Sequence, residues 1–437
     1  MQLFIKACIV GLGFLFCSTV IYADKADEPY NSPQKTLEEI NQAIRLEPDD
    51  AKLYRRRGIA LKKLGQFNQA LVDFSRAIQL NPNDAGSYNE RGKTYSKLGQ
   101  FVRAVKDYDR ALGLDPHNAS IFTNRGAAFK KLRNYLRAIE DYNQAIQLAP
   151  DYALAYNYRG VAYKNLGRYQ RAIKDYDRAI RLSPDKADFY INRGISNKKL
   201  GQYQSAIEDY DQAIRIDPDN SRAYHNRGVA QKKMGQYQGA IEDYNRAIRL
   251  DPHNARTFIG RGVAYKNLRQ YNQAIKDYDQ AIRLTPKSAE AYIVRGMAYK
   301  HIGRPQEAML DYDQALRLDP RNARAYLNRA DIHRHFFQYD LALDDYSEAI
   351  RLDPDNAYAY YKRGVAHENF GHPRLAMTDF EHTIRLDPNY GTAYNSRGRG
   401  YLKSGNFEFA CNDFQKACEL GDCAYLKWAK KNGNCRP

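Results

Sequence analysis

The chain has 437 residues, with 68 Lys and Arg against 51 Asp and Glu, which gives a formal net charge of +17 at pH 7. This length exceeds what one compact hydrophobic core serves, whereas a repeat array has no such limit. The excess of positive charge favours negatively charged partners at low salt. After the first 23 residues, no segment is apolar enough to predict a membrane-spanning helix.

The N-terminal residues 1–23 are predicted to be a secretory signal peptide. Lys6 supplies a positive start, a mostly apolar run extends over residues 7–20, and small Ala23 precedes polar Asp24. This pattern predicts export and cleavage. An uncleaved membrane anchor is the alternative. The polar residues 24–35 that follow are predicted to be flexible.

Proline then marks a strict period. Eleven prolines recur at a spacing of 34 residues: Pro48, Pro82, Pro116, Pro150, Pro184, Pro218, Pro252, Pro286, Pro320, Pro354 and Pro388. A fixed period of this length indicates a repeat array and not a folded enzyme core.

Each period reads as two helices. With residue 51 as position 1, the proline falls at position 32. Apolar residues recur at helical steps from about position 3 to 14 and from 18 to 30, and Gly at position 15 marks the turn between them. Position 8 is Gly in ten of eleven copies and position 20 is always Ala, while positions 4 and 24 are always Tyr or Phe. The small residues are expected to allow close helix approach, with the ring at position 24 filling the space beside them.

This pattern resembles the tetratricopeptide repeat (TPR) family. A typical copy is AYNYRGVAYKNLGRYQRAIKDYDRAIRLSP, which ends at Pro184. The resemblance covers residues 51–422 as eleven repeats, preceded by a half repeat at 36–50 and followed by a capping helix and tail at 423–437. It implies an all-α fold, a right-handed superhelical solenoid of antiparallel helix pairs in which each repeat is buried against its neighbours.

No catalytic arrangement stands out in the sequence. It has no glycine-rich phosphate loop, no nucleophile elbow and no HExxH helix. The nine histidines are scattered, and His333 and His367, both at position 11, are expected to pack between helices. We therefore expect no enzymatic activity, no cofactor and no metal site.

Two charged positions are invariant among the repeats. Position 7 is Arg and position 23 is Asp in all eleven copies. TPR sequences often have Leu at position 7, so the Arg would lie near the helix interface, where a buried charge needs a partner. We predict a structural Arg–Asp ladder, within a repeat or between neighbours. Its representative members are Arg57, Arg193, Arg227, Asp73, Asp209 and Asp243.

A partner-binding groove is predicted on the first helices. In TPR proteins positions 2, 5, 9 and 12 line the concave surface, and position 12 is basic here in eight of eleven copies. The predicted basic row consists of Lys130, Lys164, Lys198, Lys232, Lys266, Lys300 and Arg334. The predicted apolar floor, from positions 5 and 9, consists of Ile191, Ile195, Val229, Ile259, Val263, Ile293, Met297 and Leu327. The alternative is that the lysines form a solvated face and the aliphatic residues pack between first helices.

Four cysteines are confined to the last 27 residues: Cys411, Cys418, Cys423 and Cys435. An even number at one end predicts disulfides in an oxidising compartment. If the tail folds back as a capping helix, Cys418 would pair with Cys423 and Cys411 with Cys435. Four free thiols are the alternative.

The predicted function is that of an exported protein–protein interaction scaffold in the periplasm, cell envelope or medium, with an acidic or amphipathic partner segment in the groove. Binding of an anionic envelope polymer, or service as a non-catalytic subunit of an envelope enzyme complex, are the alternatives. Nucleic acid is not the expected partner, because most tyrosines occupy packing positions. The Lys–Asn–Asn–Lys–Arg set by which some TPR domains hold a terminal carboxylate is not reproduced, since position 5 is never Lys and position 9 is never Asn. Repeats 9 and 10 deviate most, which indicates either a specialised contact or drift.

Overall fold

The computed structural model describes residues 33–435, which form 24 α-helices and contain no β-strand. The chain divides into two compact units, Met1–Pro150 and Asp151–Pro437. The predicted signal peptide and residues 24–32 of the predicted flexible segment lie outside the described residues. The first helix begins at Pro33, inside that segment, because the fixed φ of proline suits the first position of a helix.

The first unit contains seven helices, starting with the half repeat. They are α1 (Pro33–Leu46), α2 (Ala51–Lys63), α3 (Phe67–Leu80), α4 (Ala85–Lys97), α5 (Phe101–Leu114), α6 (Ala119–Lys131) and α7 (Tyr135–Leu148).

The second unit contains the remaining helices in the same alternation. They are α8 (Ala153–Asn165), α9 (Tyr169–Leu182), α10 (Ala187–Lys199), α11 (Tyr203–Ile216), α12 (Ser221–Lys233), α13 (Tyr237–Leu250), α14 (Ala255–Asn267), α15 (Tyr271–Leu284), α16 (Ala289–His301), α17 (Pro305–Leu318), α18 (Ala323–His335), α19 (Tyr339–Leu352), α20 (Ala357–Asn369), α21 (Pro373–Leu386), α22 (Gly391–Lys403), α23 (Phe407–Glu419) and α24 (Ala424–Lys431).

Each repeat is a hairpin of an A helix (α2 to α22, even numbers) and a B helix (α3 to α23, odd numbers). Within each unit, every A helix packs against its own B helix, and that B helix packs against the next A helix. This arrangement of stacked helix pairs confirms the predicted all-α solenoid.

Local sequence sets the helix ends. A helices occupy positions 1–13, so they begin two residues earlier than the apolar pattern predicts. Side chains such as Asp84, which accepts from the amides of Gly86 and Ser87, satisfy the first free N–H groups and allow this early start. The turn to the B helix uses a positive φ at position 15, as at Gly167 with φ 73°.

The core lies between the A and B helices of each repeat. Ala172, Tyr176 and Ala179 are completely buried in α9, and the equivalent residues repeat along the array. A Cβ atom added at Gly160 would lie 2.7 Å from a ring carbon of Tyr176. The glycine at position 8 therefore makes room for the ring at position 24.

The last hairpin is covered by the short helix α24. Leu426 and Ala429 are buried against Phe414 and Ala410 of α23. None of the helices among residues 33–435 is long and apolar enough to cross a lipid bilayer.

Candidate functional site

The A helices form the inner face of the stack. In the second unit, α10 contacts α12, α12 contacts α14 and α14 contacts α16, whereas consecutive B helices within the described residues make no comparable contact. A stack whose A helices approach each other more closely than its B helices curves with the A helices inside. Positions 5, 9 and 12 of α10, α12 and α14 are the part of this face that we consider first.

Lys198 is the centre of a basic cluster on this face. Its ammonium group donates to Asn226 Oδ1 at 2.8 Å and forms no ion pair with a described carboxylate. Burial, reinforced by the charges of Lys199, Lys232 and Lys164, lowers the pKa of Lys198 to about 8. The Lys198 side chain is thus held where water solvates its charged form poorly.

Two neighbours share this environment. His225 stands next to Asn226 in α12, and its Nδ1 lies 3.0 Å from Thr257 Oγ1. Burial, with the charges of Lys198, Lys232 and Arg256, lowers the pKa of His225 to about 4, so the ring is neutral at pH 7. Burial and the charge of Lys233 lower the pKa of Lys232. We call Lys198, His225 and Lys232 the basic cluster.

The remainder of the predicted row is not uniform. Lys266 lies one repeat further along, and burial together with Arg324 lowers its pKa. Lys130 and Lys164 lie in the last turns of α6 and α8, and burial with Lys131 lowers the pKa of Lys130. Lys62, the basic residue of the first repeat, forms an ion pair with Glu90.

Lys300 and Arg334, at the far end of the row, are already partnered and do not extend the open basic surface as predicted. Lys300 Nζ lies 2.7 Å from Asp331 Oδ2, and Tyr346 donates to the other oxygen of that carboxylate at 2.7 Å. Although burial opposes it, the charges of Lys300 and Lys362 lower the pKa of Asp331. Arg334 lies beside Tyr346, which raises the pKa of its guanidinium despite burial.

The predicted apolar floor is only partly accessible. Ile191 and Ile293 are 0% and 2% exposed, so the prediction that they contact a partner is wrong. Both pack into the seam with the next repeat, Ile191 against Ala223 and Ile293 against Ala325, because position 5 faces the following A helix. The accessible part of the floor consists of the partly buried Ile195, Val229, Ile259, Val263, Met297 and Leu327.

The invariant Arg and Asp residues meet in every repeat. Arg227 donates through Nε and Nη2 to both oxygens of Asp243, at 2.8 and 2.6 Å, and Asp243 is buried. The same bidentate pair recurs at Arg57–Asp73, Arg91–Asp107, Arg125–Asp141, Arg159–Asp175, Arg261–Asp277, Arg295–Asp311, Arg329–Asp345, Arg363–Asp379 and Arg397–Asp413. In repeat 5, Arg193 donates twice to Oδ1 of Asp209, and Asn197 donates to Oδ2. These pairs lie between the A and B helices of one repeat and away from the inner face.

The remaining guanidinium nitrogen reaches backward. Arg193 Nη1 lies 2.7 Å from Asp177, at position 25 of the preceding B helix, and Arg329 Nη1 lies 2.7 Å from Asp313 in the same way. The ring at position 4 lies under the same guanidinium, as Tyr190 does 5.7 Å from Arg193. Arg193 and Arg329 therefore each join two consecutive hairpins of the second unit.

The four cysteines lie in two pairs at bonding distance. Cys411 and Cys435 join α23 to the tail with Cα atoms 5.6 Å apart, and Cys418 and Cys423 flank the turn before α24 with Cα atoms 4.0 Å apart. Among residues 33–435, no group of three His, Cys, Asp or Glu side chains has the arrangement of a metal site.

Sequence reasoning missed the ion pairs that close the inner face in repeats 9 to 11. Besides the Lys300–Asp331 pair, Glu368 accepts from Arg399 at 2.9 Å and from Lys403 at 3.2 Å. The signal was present in the sequence, since Asp331 and Glu368 are acidic at positions 9 and 12, where no other repeat has an acidic residue. The open basic surface is thereby limited to the repeats before them.

The comparisons with known proteins agree with this architecture. The family model described as tetratricopeptide repeat matches residues 51–84, 85–118, 119–152, 153–186, 221–254, 255–288 and 289–322, and a second model of that description matches 357–390. A model described as TPR repeat matches 198–235 and 338–371. The comparison with curated proteins found no match.

Several solved structures are similar to this chain. The crystal structure of the APC/C hetero-tetramer Cut9–Hcn1 aligns with a TM-score of 0.50 and 13% identity, over 92% of this chain and 93% of that chain. Yeast Tom70 aligns with a TM-score of 0.47 and 16% identity, over 88% and 96% of the two chains. A tetratricopeptide repeat protein from Parabacteroides merdae aligns with a TM-score of 0.46 and 25% identity, over 56% and 97%.

The family matches, like the helix hairpins and the glycine–aromatic pairs described above, extend through most of the repeats. Because the tetratricopeptide repeat models match more than half of the chain, the protein belongs to the tetratricopeptide repeat family.

Proposed function

We propose that this protein is an exported, non-catalytic scaffold that binds an acidic or amphipathic segment of a partner protein along the A-helix face of repeats 5 to 7. TPR proteins bind protein partners. The observation that carries the proposal is the basic cluster, in which Lys198 and Lys232 are half-buried and neither forms an ion pair with a described carboxylate. The charge of Glu290 opposes the lowering of the pKa of Lys232 but does not reverse it.

The electrostatics of the cluster favour an anionic ligand. A lysine whose charged form is destabilised by burial gains more from a carboxylate than an exposed lysine does, because the interaction is less screened. Val229 and Val263 supply a partly exposed apolar surface on the neighbouring turns of α12 and α14. A segment that alternates acidic and apolar side chains would satisfy both parts of the surface.

Export is part of the proposal. Paired cysteines persist in oxidising compartments, and the two pairs at bonding distance support such a location. The signal-like residues 1–23 add to this support from the sequence alone.

The net positive charge favours one second candidate, an anionic polymer of the cell envelope. Polymer binding would fall steeply with salt and would tolerate the neutral polar substitution Val229→Asn. Binding of a protein segment would be weakened in Val229→Asn, which removes an apolar contact, and would depend less on salt. The two candidates are therefore separable by one substitution and one salt series.

The proposed function is tested by crosslinking and co-purification from the native envelope. The variant Lys198→Glu/Lys232→Glu/Lys266→Glu reverses the inner-face charge. The control Lys174→Glu/Arg249→Glu/Lys276→Glu makes the same change in charge at exposed positions of B helices. We expect a protein that co-purifies with the wild type and the control to be absent from the inner-face variant. Retention of the same proteins by all three would contradict the proposal.

A further inference from the structure

Repeats 9 to 11 carry a cluster of exposed apolar side chains at the turns between their A and B helices. Its members, which we call the apical patch, are Phe336, Phe337, Leu341, Phe370, Leu375 and Phe409. Phe337 is 76% exposed, and Leu341, Leu375 and Phe409 are about half exposed. Rings connect the first two repeats, because Tyr339 lies 6.2 Å from Phe337 and 5.6 Å from Phe370 between centroids.

Exposed apolar residues such as Leu132, Leu136 and Met234 occur near the same turn in earlier repeats, but position 19 distinguishes repeats 9 to 11. Position 19, occupied by Leu341, Leu375 and Phe409, is polar or Gly in each of repeats 1 to 8. Exposed apolar residues are common singly, but a group on three consecutive repeats is typical of an interaction site. The patch is therefore a property of these repeats and not of the fold.

Phe337 adds backbone strain to this exposure. It stands at position 15, where eight of the eleven copies have Gly, and its φ is 59°. A bulky side chain in the left-handed region costs of order 1 kcal/mol, and its aromatic ring gains no burial in return. Arg133 and Arg269 have the same backbone angle at this position, so the exposed ring is what distinguishes Phe337.

The same edge of the second unit is basic. None of the eleven copies has Asp or Glu at positions 13 to 16, whereas the opposite turns, at positions 31 to 34, contain Asp in ten copies. Arg168, Lys199, Lys233 and Arg269 are exposed on this edge and form no ion pair with the described residues. Asp340, Arg374 and Glu408 lie beside the apical patch itself, so most of the unpaired positive charge on this edge comes from the preceding repeats.

We propose that this edge docks the protein on the surface of an anionic lipid bilayer. The apical patch would enter the interfacial region at the end of the array, and the basic residues of repeats 4 to 7 would contact lipid phosphates. Apolar and aromatic side chains at turn tips beside cations suit this interface, since burial of the rings and attraction to anionic headgroups add. A nucleic acid would use the cations and leave the leucines exposed.

The test is co-sedimentation of the full chain with vesicles of phosphatidylcholine alone and with vesicles that also contain phosphatidylglycerol. The variant Phe337→Gly/Leu341→Gln/Leu375→Gln removes three patch side chains, and its glycine is the residue that most copies already have. The control Leu310→Gln/Leu386→Gln removes two leucines that are exposed on α17 and at the end of α21. Thermal unfolding of each variant shows that it is folded.

We expect the wild type and the control to bind the phosphatidylglycerol vesicles and the patch variant to bind at least about tenfold more weakly. The proposal would be overturned if the wild type ignored both vesicles, or if the patch variant bound as well as the wild type. It would also be overturned if the wild type dimerised through the patch, or if DNA bound this edge more tightly than the vesicles do. Because Val229 is not part of this edge and carries no charge, Val229→Asn should keep its vesicle binding even if it loses its protein partner.

Discussion

The ring at position 24 occupies the space that a side chain at position 8 would need. In repeat 3, a Cβ atom on Gly126 would lie 2.7 Å from a ring carbon of Tyr142. Gly113 is the opposite case, since it lies inside helix α5 with nothing within 4 Å of its Cβ direction. Gly126 thus leaves room for a ring, whereas the space beside Gly113 would accept a methyl group.

This difference predicts opposite effects of the same substitution. Gly126→Ala should lower the free energy of unfolding by about 1–3 kcal/mol through overpacking. Gly113→Ala should raise it by about 0.5–1 kcal/mol, because alanine is the better helix former. Chemical denaturation followed by circular dichroism measures both. Equal effects of the two substitutions would contradict the packing explanation.

Burial destabilises the charged form of the Lys198 side chain. Because its pKa in the folded chain is about 8, against an ordinary value of 10.5, the unfolded chain binds more protons between these two pH values. The stability contributed by this residue therefore rises with pH through that window. Below pH 8 the full penalty of its charge is present.

Lys198→Met should accordingly raise the free energy of unfolding by about 1 kcal/mol at pH 7, and the gain should shrink towards pH 10.5. Lys199→Met, at the exposed neighbouring position, should change stability little at either pH. Urea denaturation at pH 7 and pH 10 provides the comparison. A variant less stable than the wild type at pH 7 would show that the site does not destabilise the lysine.

At the scale of helices and hairpins, the invariant arginine joins three elements. Arg227 of α12 contacts Asp243 of its own B helix and Asp211 of the preceding B helix. The carboxylate of Asp243 is buried, whereas that of Asp211 is 41% exposed. Hydrogen bonding to Asp243 raises the pKa of Arg227, as expected of a strong charge-assisted pair.

Removing the buried partner should therefore cost much more than removing the exposed one. Asp243→Ala leaves a guanidinium without its main acceptor and should cost about 3–5 kcal/mol. Asp211→Ala should cost less than about 1 kcal/mol. Denaturant titrations of the two variants under identical conditions test the difference. Similar costs would mean that the ladder is solvated.

Two cysteine pairs at bonding distance lie where α23 meets the C-terminal helix. Cys411 and Cys435 enclose a segment with a sequence separation of 24, and Cys435 is buried under α24. Constraining a loop of that length should stabilise the chain by about 3 kcal/mol. The loop closed by Cys418 and Cys423 is much shorter, so its effect should be smaller.

Cys411→Ser/Cys435→Ser should lower the unfolding temperature more than Cys418→Ser/Cys423→Ser does. Differential scanning calorimetry of the oxidised proteins measures both, with the reduced wild type as reference. If the two double variants melt alike, loop length does not control the stability of this end. Non-reduced peptide mapping establishes the pairing independently.

At the scale of the whole molecule, the features that repeat could be predicted from sequence. The proline period, the glycine and aromatic positions and the invariant Arg and Asp residues gave the helix pairs, because each repetition reinforces the same signal. The burial of individual aliphatic residues was harder to predict. Ile191 and Ile195 share one helix and one chemistry, but only contact with the next A helix decides that Ile191 is buried.

Contacts that occur in only one repeat were not predicted from the sequence, and the role of residues such as Phe337 was left undecided. Asp331 pairs with Lys300 from the preceding repeat, and nothing in a single repeat indicates that partner. Repeats 9 and 10 stood out by their deviations, but the meaning of Phe337 depends on its exposure and backbone angle. Non-repeating contacts between neighbours therefore need coordinates, whereas the repeating frame does not.

The second unit presents three chemically different surfaces. The inner face is basic in repeats 5 to 7 and closed by ion pairs in repeats 9 to 11. The turn edge is basic and ends in the apical patch, while the opposite turns are acidic. A scaffold with this distribution can hold one partner inside and contact another surface with its edge.

The most direct test of the central claim is site-specific photocrosslinking in the native envelope. A photoreactive residue replaces Val229, on the inner face beside the basic cluster, or Leu310, which is 66% exposed on a B helix. We predict a discrete protein adduct at Val229 that disappears in the Lys198→Glu/Lys232→Glu background, and none at Leu310. Adducts at Leu310 alone, or an adduct at Val229 that survives the charge reversal, would contradict recognition of an acidic partner by the inner face.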